Sequence, residues 1–270
     1  PSSAEAMREL RGIDRTLAAL WHAAKSSTTV EYDLWVYSDH GQEPVVPFRT
    51  QSGEGIAGAI RATAEGEGMA SLTEPAAAPE QKQERRSALD EEGRIRKTVR
   101  ACGHGSLWHV YLPTDVDREV RDRFADTLVR SHGVPLVLAA ETPHRAVAWT
   151  RAGRHALPDE VDSVVGPDHP FREEVRFDLV RLAHHPNAGT LVLSGWRPRG
   201  TPMSFLKEHG AHGGPGRRET HGFAVLPATV SHRATDRPYL RPREMRLAAL
   251  TTMGWSSPAV LSRPTAAAGS

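Results

Sequence analysis

Between residues 106 and 227, short runs of β-branched and aromatic residues alternate with amphipathic stretches, and this alternation restricts the possible folds more than any other feature of the chain. "SLWHVYL" (106–112), "VPLVLAA" (134–140), "AVAWTRA" (146–152), "GTLVLSG" (189–195) and "GFAVLP" (222–227) have the length and composition of strands. "DVDREVRDRFADTLVRS" (115–131) and "FREEVRFDLVRLAHH" (171–185) read as helices, the second with Phe171, Val175, Leu179 and Leu182 on one face. Strands alternating with helices predict an α/β protein, a three-layer sandwich with helices packed on a mostly parallel central sheet.

Ahead of this region, Met7, Leu10, Ile13, Leu17, Leu20 and Trp21 recur at steps of three and four, which is the spacing of an amphipathic helix that Ser2 or Ser3 can cap. "VEYDLWVYS" (30–38) reads as a strand that ends at Asp39, His40 and Gly41. From Gly53 the apolar period fades into Ala, Glu, Gly and Pro, so residues 53–95 are expected to form a mobile surface insertion. Residues 255–270 are expected to form a flexible tail, and the whole of 1–270 a single catalytic domain that is itself partial. The chain opens Pro-Ser-Ser and runs directly into its first helix, which suggests a piece of something longer.

Charge narrows the partners. With 34 Lys and Arg against 33 Asp and Glu, the net charge of +1 provides no field for a nucleic-acid polymer or a membrane surface. The locally basic "SHRATDRPYLRPREMR" (231–246) reads as a solvated face. No apolar run reaches the roughly 20 residues that a membrane helix needs. The single cysteine, Cys102, excludes an internal disulfide and leaves the redox compartment open.

Two loops carry candidate chemistry. In open α/β sheets ligands bind beyond the carboxyl ends of strands, where Asp39 and His40 fall in "SDHG". A carboxylate oxygen and an imidazole nitrogen each bind zinc at roughly 2.0–2.2 Å. Gly41 would let the backbone turn without a Cβ in the way. Far downstream, His212 stands among small residues in "GAHGGPG", so its ring could approach a metal closely. Each motif alone is an ordinary turn, because Asp, His and Gly are common turn residues. Other chemistries have weaker support. Cys102 has His104 two residues on but no recognisable protease pattern, and "GHGSLWH" has the wrong spacing for a serine-hydrolase elbow. The glycines of "GAHGGPGRR" lack the Lys-Ser/Thr ending of a phosphate loop.

The order of the two motifs, strand then "SDHG" and much later "HGGPGRRETHGFAVLP", resembles the alkaline phosphatase superfamily, in particular its type I phosphodiesterase and nucleotide-pyrophosphatase-like branch. "GIDRTLAALW" and "SLWHVYL" share in the resemblance, which covers most of the chain outside 53–95 and the last thirty residues. The resemblance implies a hydrolase of small-molecule phosphate esters with two divalent ions, usually zinc. Asp39 and His40 would bind one ion and His212 the other, whereas His209 and His221 match no ligand position. It also implies a Ser or Thr nucleophile and further ligands upstream of Pro1, so that the alkaline phosphatase-like domain would lack its N-terminal part and these residues alone would be nearly inactive. The competing reading is a non-catalytic α/β binding module or a degenerate homologue with incidental histidines. The compartment is left undetermined.

Overall fold

The computed structural model describes residues 3–73, 98–230 and 237–255. Where the sequence suggests one domain, the chain divides into two compact units, Pro1–Asp39 with Gly222–Ser270, and His40–His221.

The first unit holds α1 (Ala4–Ser26), β1 (Val36–Tyr37), β13 (Ala224–Val225) and α7 (Pro242–Thr252). Ser3 caps α1, its hydroxyl accepting the Ala6 N–H at 3.1 Å as the sequence suggests. No residue of α1 is buried, and its apolar stripe of Met7, Leu10, Ile13, Leu20 and Trp21 is exposed. The predicted strand 30–38 shrinks to Val36 and Tyr37, paired antiparallel with Val225 and Ala224. α7 starts with Pro242 in its first turn and a Glu244 carboxylate that accepts the Arg241 N–H at 2.8 Å.

The second unit is built on a seven-stranded sheet. Its strands are β4 (Ala70–Thr73), β5 (Thr98–His104), β6 (Leu107–Tyr111), β7 (Leu136–Thr142), β8 (Arg145–Thr150), β9 (Gly153–Leu157) and β10 (Leu191–Ser194), in the order β4-β5-β6-β10-β7-β8-β9. Only β4 and β5 run parallel; every other neighbouring pair is antiparallel. The expected mostly parallel sheet is thereby corrected. The reason lies in the connections: β5 to β6, β7 to β8 and β8 to β9 are each joined by two residues, enough for a hairpin and far too few for a parallel crossover.

Helices cover both faces of this sheet. On one side α2 (Phe48–Ser52), α3 (Ile56–Gly66) and α4 (Arg118–Arg130) pack Phe48, Ile60, Phe124 and Leu128 on Val99, Trp108, Val137, Trp149 and Leu193. On the other, α5 (Val161–Val165) and α6 (Arg172–Ala183) pack Val164, Val175 and Leu179 on Leu136, Leu138, Ala148 and Val192. Consecutive strand residues such as Leu136 and Val137 enter opposite clusters, the period of two that a sheet buried on both faces requires. The apolar runs in the sequence therefore report burial on both faces, which antiparallel sheets show less often than parallel ones.

Residues 56–73, assigned by sequence to the surface insertion, form α3 and β4 instead. Ile56, Ala59, Ile60, Thr63 and Ala64 are buried at helical spacing. Residues 74–95 of that expectation and 256–270 of the expected tail lie outside the described residues. Among the described residues no helix is long and apolar enough to cross a membrane.

Candidate functional site

Two short ladders strap the segment after His40 to the glycine-rich loop. β2 (Glu43–Pro44) pairs antiparallel with β12 (Gly210–Ala211), Glu43 opposite Ala211, and β3 (Val46–Pro47) pairs parallel with β11 (Met203–Ser204). The residue after β12 is His212. This register carries His212 onto His40, and the two imidazoles stack with centroids 3.7 Å apart and planes 19° from parallel. Two of the three sequence-predicted ligands thus meet. Asp39, the third, is exposed at the end of the first unit, directly before His40 in the chain.

The His40 ring is fixed by its own backbone, with Nδ1 2.5 Å from the Gly41 carbonyl oxygen. A carbonyl only accepts, so Nδ1 carries the proton and Nε2 of the neutral ring keeps a lone pair. Donation of the other ring N–H to a carbonyl is how a metal-binding histidine is usually oriented. His212 is positioned through its main chain, its carbonyl accepting the Ser106 hydroxyl at 3.1 Å from the β5–β6 turn.

Gly41 is required by close packing. A Cβ there would sit 2.0 Å from the Arg218 carbonyl oxygen and 2.3 Å from that of His221, and the Gly41 N–H donates to the Glu219 carbonyl at 2.9 Å. The sequence reading singled out this glycine for a sharp turn, whereas the structure needs it because another backbone passes against it.

Sequence reasoning missed two buried carboxylates below the histidine pair. Glu219 accepts N–H bonds from Gly214 at 2.9 Å and Gly216 at 2.7 Å, and Glu43 accepts the Arg218 N–H at 2.6 Å. Burial pushes the Glu219 carboxyl above its ordinary range and nearby Glu43 adds to this, while the two glycine N–H groups and His40 oppose it. His169, also buried, has Nε2 2.7 Å from the Pro215 carbonyl and accepts the Phe171 N–H at Nδ1, so its tautomer is set on both sides. Burial holds its pKa below the usual imidazole value and Arg217 lowers it further, against the Pro215 bond and Glu43. The only sequence trace of this arrangement is the glycine spacing of 213, 214 and 216. A lone Glu next to Arg217 and Arg218 looks like surface charge.

The remaining histidines of the motif behave as ordinary loop residues. His209 is exposed, and His221 packs edge-on against Phe171 with centroids 4.9 Å apart. Cys102 is exposed on β5 opposite His109. A concavity of about 770 Å³ lies over α4 and shares no residue with the histidine pair. Several of its charges are paired with one another, Arg123 with Glu67, Arg130 with Asp126 and Arg118 with Asp122.

Nearly parallel rings keep their lone pairs in separate planes, so His40 and His212 are poorly disposed to share one ion. Among the described residues no group of three or more His, Cys, Asp or Glu side chains is arranged to hold a metal ion. Compared with known proteins, the chain matches no family model, no curated protein and no solved structure.

Proposed function

We propose that the chain supplies part of the two-metal site of a phosphoric-ester hydrolase, with Asp39 and His40 as ligands to one divalent ion, most suitably zinc, and His212 as ligand to the other. One observation carries this reading: the two motif histidines, far apart in sequence, stack at 3.7 Å. The contact brings together two residues that the resemblance assigns to neighbouring ions of one two-metal centre. The Nδ1 contact of His40 with the Gly41 carbonyl is of the kind that orients metal-binding imidazoles, and it supports the reading further.

A pair of divalent ions would clamp the attacking and leaving oxygens of an in-line displacement at phosphorus. The contribution of these residues is positioning. His40 keeps its proton at Nδ1, away from the ion, and the Ser106 hydroxyl holds the main chain of His212. The nucleophile and the ligands that would complete each coordination sphere come, in this reading, from outside the described residues. The substrate class is a small phosphate ester. The wider alkaline phosphatase-like sandwich is part of the same proposal. Helices on both sheet faces support it, whereas the antiparallel strand order does not.

The second reading is a non-catalytic α/β module with incidental histidines; among the described residues no group of three or more His, Cys, Asp or Glu side chains is arranged to hold a metal ion. Zinc titration against a competing chelator separates the two. His40→Ala and His212→Ala are each expected to weaken zinc binding at least tenfold, and hydrolysis of an aryl phosphodiester by these 270 residues alone is expected to stay close to background. Zinc binding that neither substitution changes would overturn the metal site.

A further inference from the structure

Past the β2–β12 ladder, which ends at Ala211, the loop with glycines at 213, 214 and 216 runs on without further strand pairing. Its backbone N–H groups go to carboxylates instead. Glu219 reaches back to take the N–H groups of Gly214 and Gly216, closing the loop on itself, and Glu43 takes that of Arg218. The main chain of Glu219 turns the other way, its carbonyl accepting the Gly41 N–H at 2.9 Å one residue beyond His40. One residue therefore grips the His212 loop with its side chain and the His40 loop with its backbone.

The glycines are shaped to admit these carboxylates. A Cβ at Gly216 would fall 2.5 Å from Glu219 Oε1 and 2.7 Å from Glu43 Cγ, and one at Gly214 would fall 2.8 Å from Glu219 Oε1. Burying two carboxyl groups side by side is costly unless their oxygens are well bonded. A stapled loop could be made more cheaply from apolar contacts. Charge-assisted bonds to several backbone N–H groups fix a loop in direction as well as position, and the loop held here follows directly on His212.

We propose that Glu219 and Glu43 are positioning residues that set the spacing and parallel stacking of His40 and His212. The proposal rests on the reading of those rings as metal ligands for its functional meaning, but not for its test. Stacked imidazoles shield each other's carbon-bound protons, so ring resonances of His40 and His212 report the spacing with or without metal.

The variants are Glu219→Gln, which keeps the shape but places an NH₂ group against one of the two glycine N–H donors, Glu219→Ala, and Glu43→Gln. Glu141→Gln, which alters the surface pairing with Arg154, is the control. Expected for the Glu219 and Glu43 variants are loss of the ring shielding and a tenfold or larger fall in zinc affinity, with unchanged amide resonances for the sheet residues Val137 and Leu193. Loss of a partner that orients a metal ligand ordinarily costs about 10- to 100-fold in affinity. If the wild-type chain binds no zinc yet the shielding is lost in the variants, the metal reading fails and the positioning role stands. Retained shielding in Glu219→Ala, with zinc affinity within twofold of wild type, would overturn the proposal. If Glu219→Ala does not fold, Glu219→Gln and Glu43→Gln decide on the same readouts.

Discussion

Gly41→Ala tests whether the two histidine loops are pressed together as tightly as the structure shows. The added methyl would lie 2.0 Å from one carbonyl oxygen and 2.3 Å from another, where contacts below 3.0 Å essentially do not occur. Both obstacles are backbone, so no side chain can swing aside, and the 218–221 segment must retreat by about an ångström. Overpacking of this kind costs about 1–3 kcal/mol. The retreat also stretches the 2.9 Å bond from the Gly41 N–H to the Glu219 carbonyl, for a further loss of about 1 kcal/mol. The sum, about 2–4 kcal/mol, is a large share of the ~5–15 kcal/mol that holds an ordinary domain together. Urea unfolding followed by tryptophan emission and circular dichroism should show the midpoint falling with an unchanged slope. Gly66→Ala is the matched control, because no atom lies within 4 Å of its added Cβ and it ends a helix. That control should stay near wild type or gain slightly, since Ala favours helix over Gly. Equal midpoints for Gly41→Ala and wild type would refute the close approach of the two loops.

Two further outcomes follow from the packing and the buried imidazoles. Leu193 is fully buried on the central strand β10, opposite Trp108 on one side and Val137 on the other, so Leu193→Ala should lose about 2–5 kcal/mol in the same urea assay. Burial lowers the pKa of buried His169 and of half-buried His109, with His185 adding to the effect at His109. In the unfolded chain each takes up a proton near pH 6.5, where the folded chain resists it. Stability should therefore fall as pH drops from about 6.5 through the depressed folded values, and should be insensitive to these groups above that. His169→Gln should flatten the acid limb measured between pH 5 and 7; an unchanged limb would show that His169 is not the titrating group.

Much of the secondary structure was legible because it depends on local pattern. The 3.6-residue stripe and serine cap of α1, the amphipathic α4 and α6, and the strands β6, β7, β8 and β10 all follow from side-chain spacing. α3 escaped notice because Gly55, Gly58, Gly66 and Gly68, with Glu65 and Glu67, give its surroundings the composition of a loop although Ile56 and Ile60 keep a helical spacing. β5 and β9 escaped because Arg100, Cys102, Arg154 and His155 interrupt their apolar residues. Without those two strands the hairpins β5–β6 and β8–β9 could not be seen, although the expected strands 134–140 and 146–152 already lay too close for a parallel crossover.

The same division holds at the candidate site. His40 was singled out because a polar residue after an apolar run marks a loop at the end of a strand, and His212 because it stands among small residues in a motif order that resembles a known family. The stacking of the two rings depends on the pairing of β2 with β12, and pairing between distant segments leaves no local periodicity to read. Nor could the chain alone reveal Glu43 and Glu219 as buried groups. A carboxylate avoids the interior unless donors await it there, and these donors are backbone N–H groups that only the folded loop turns inward.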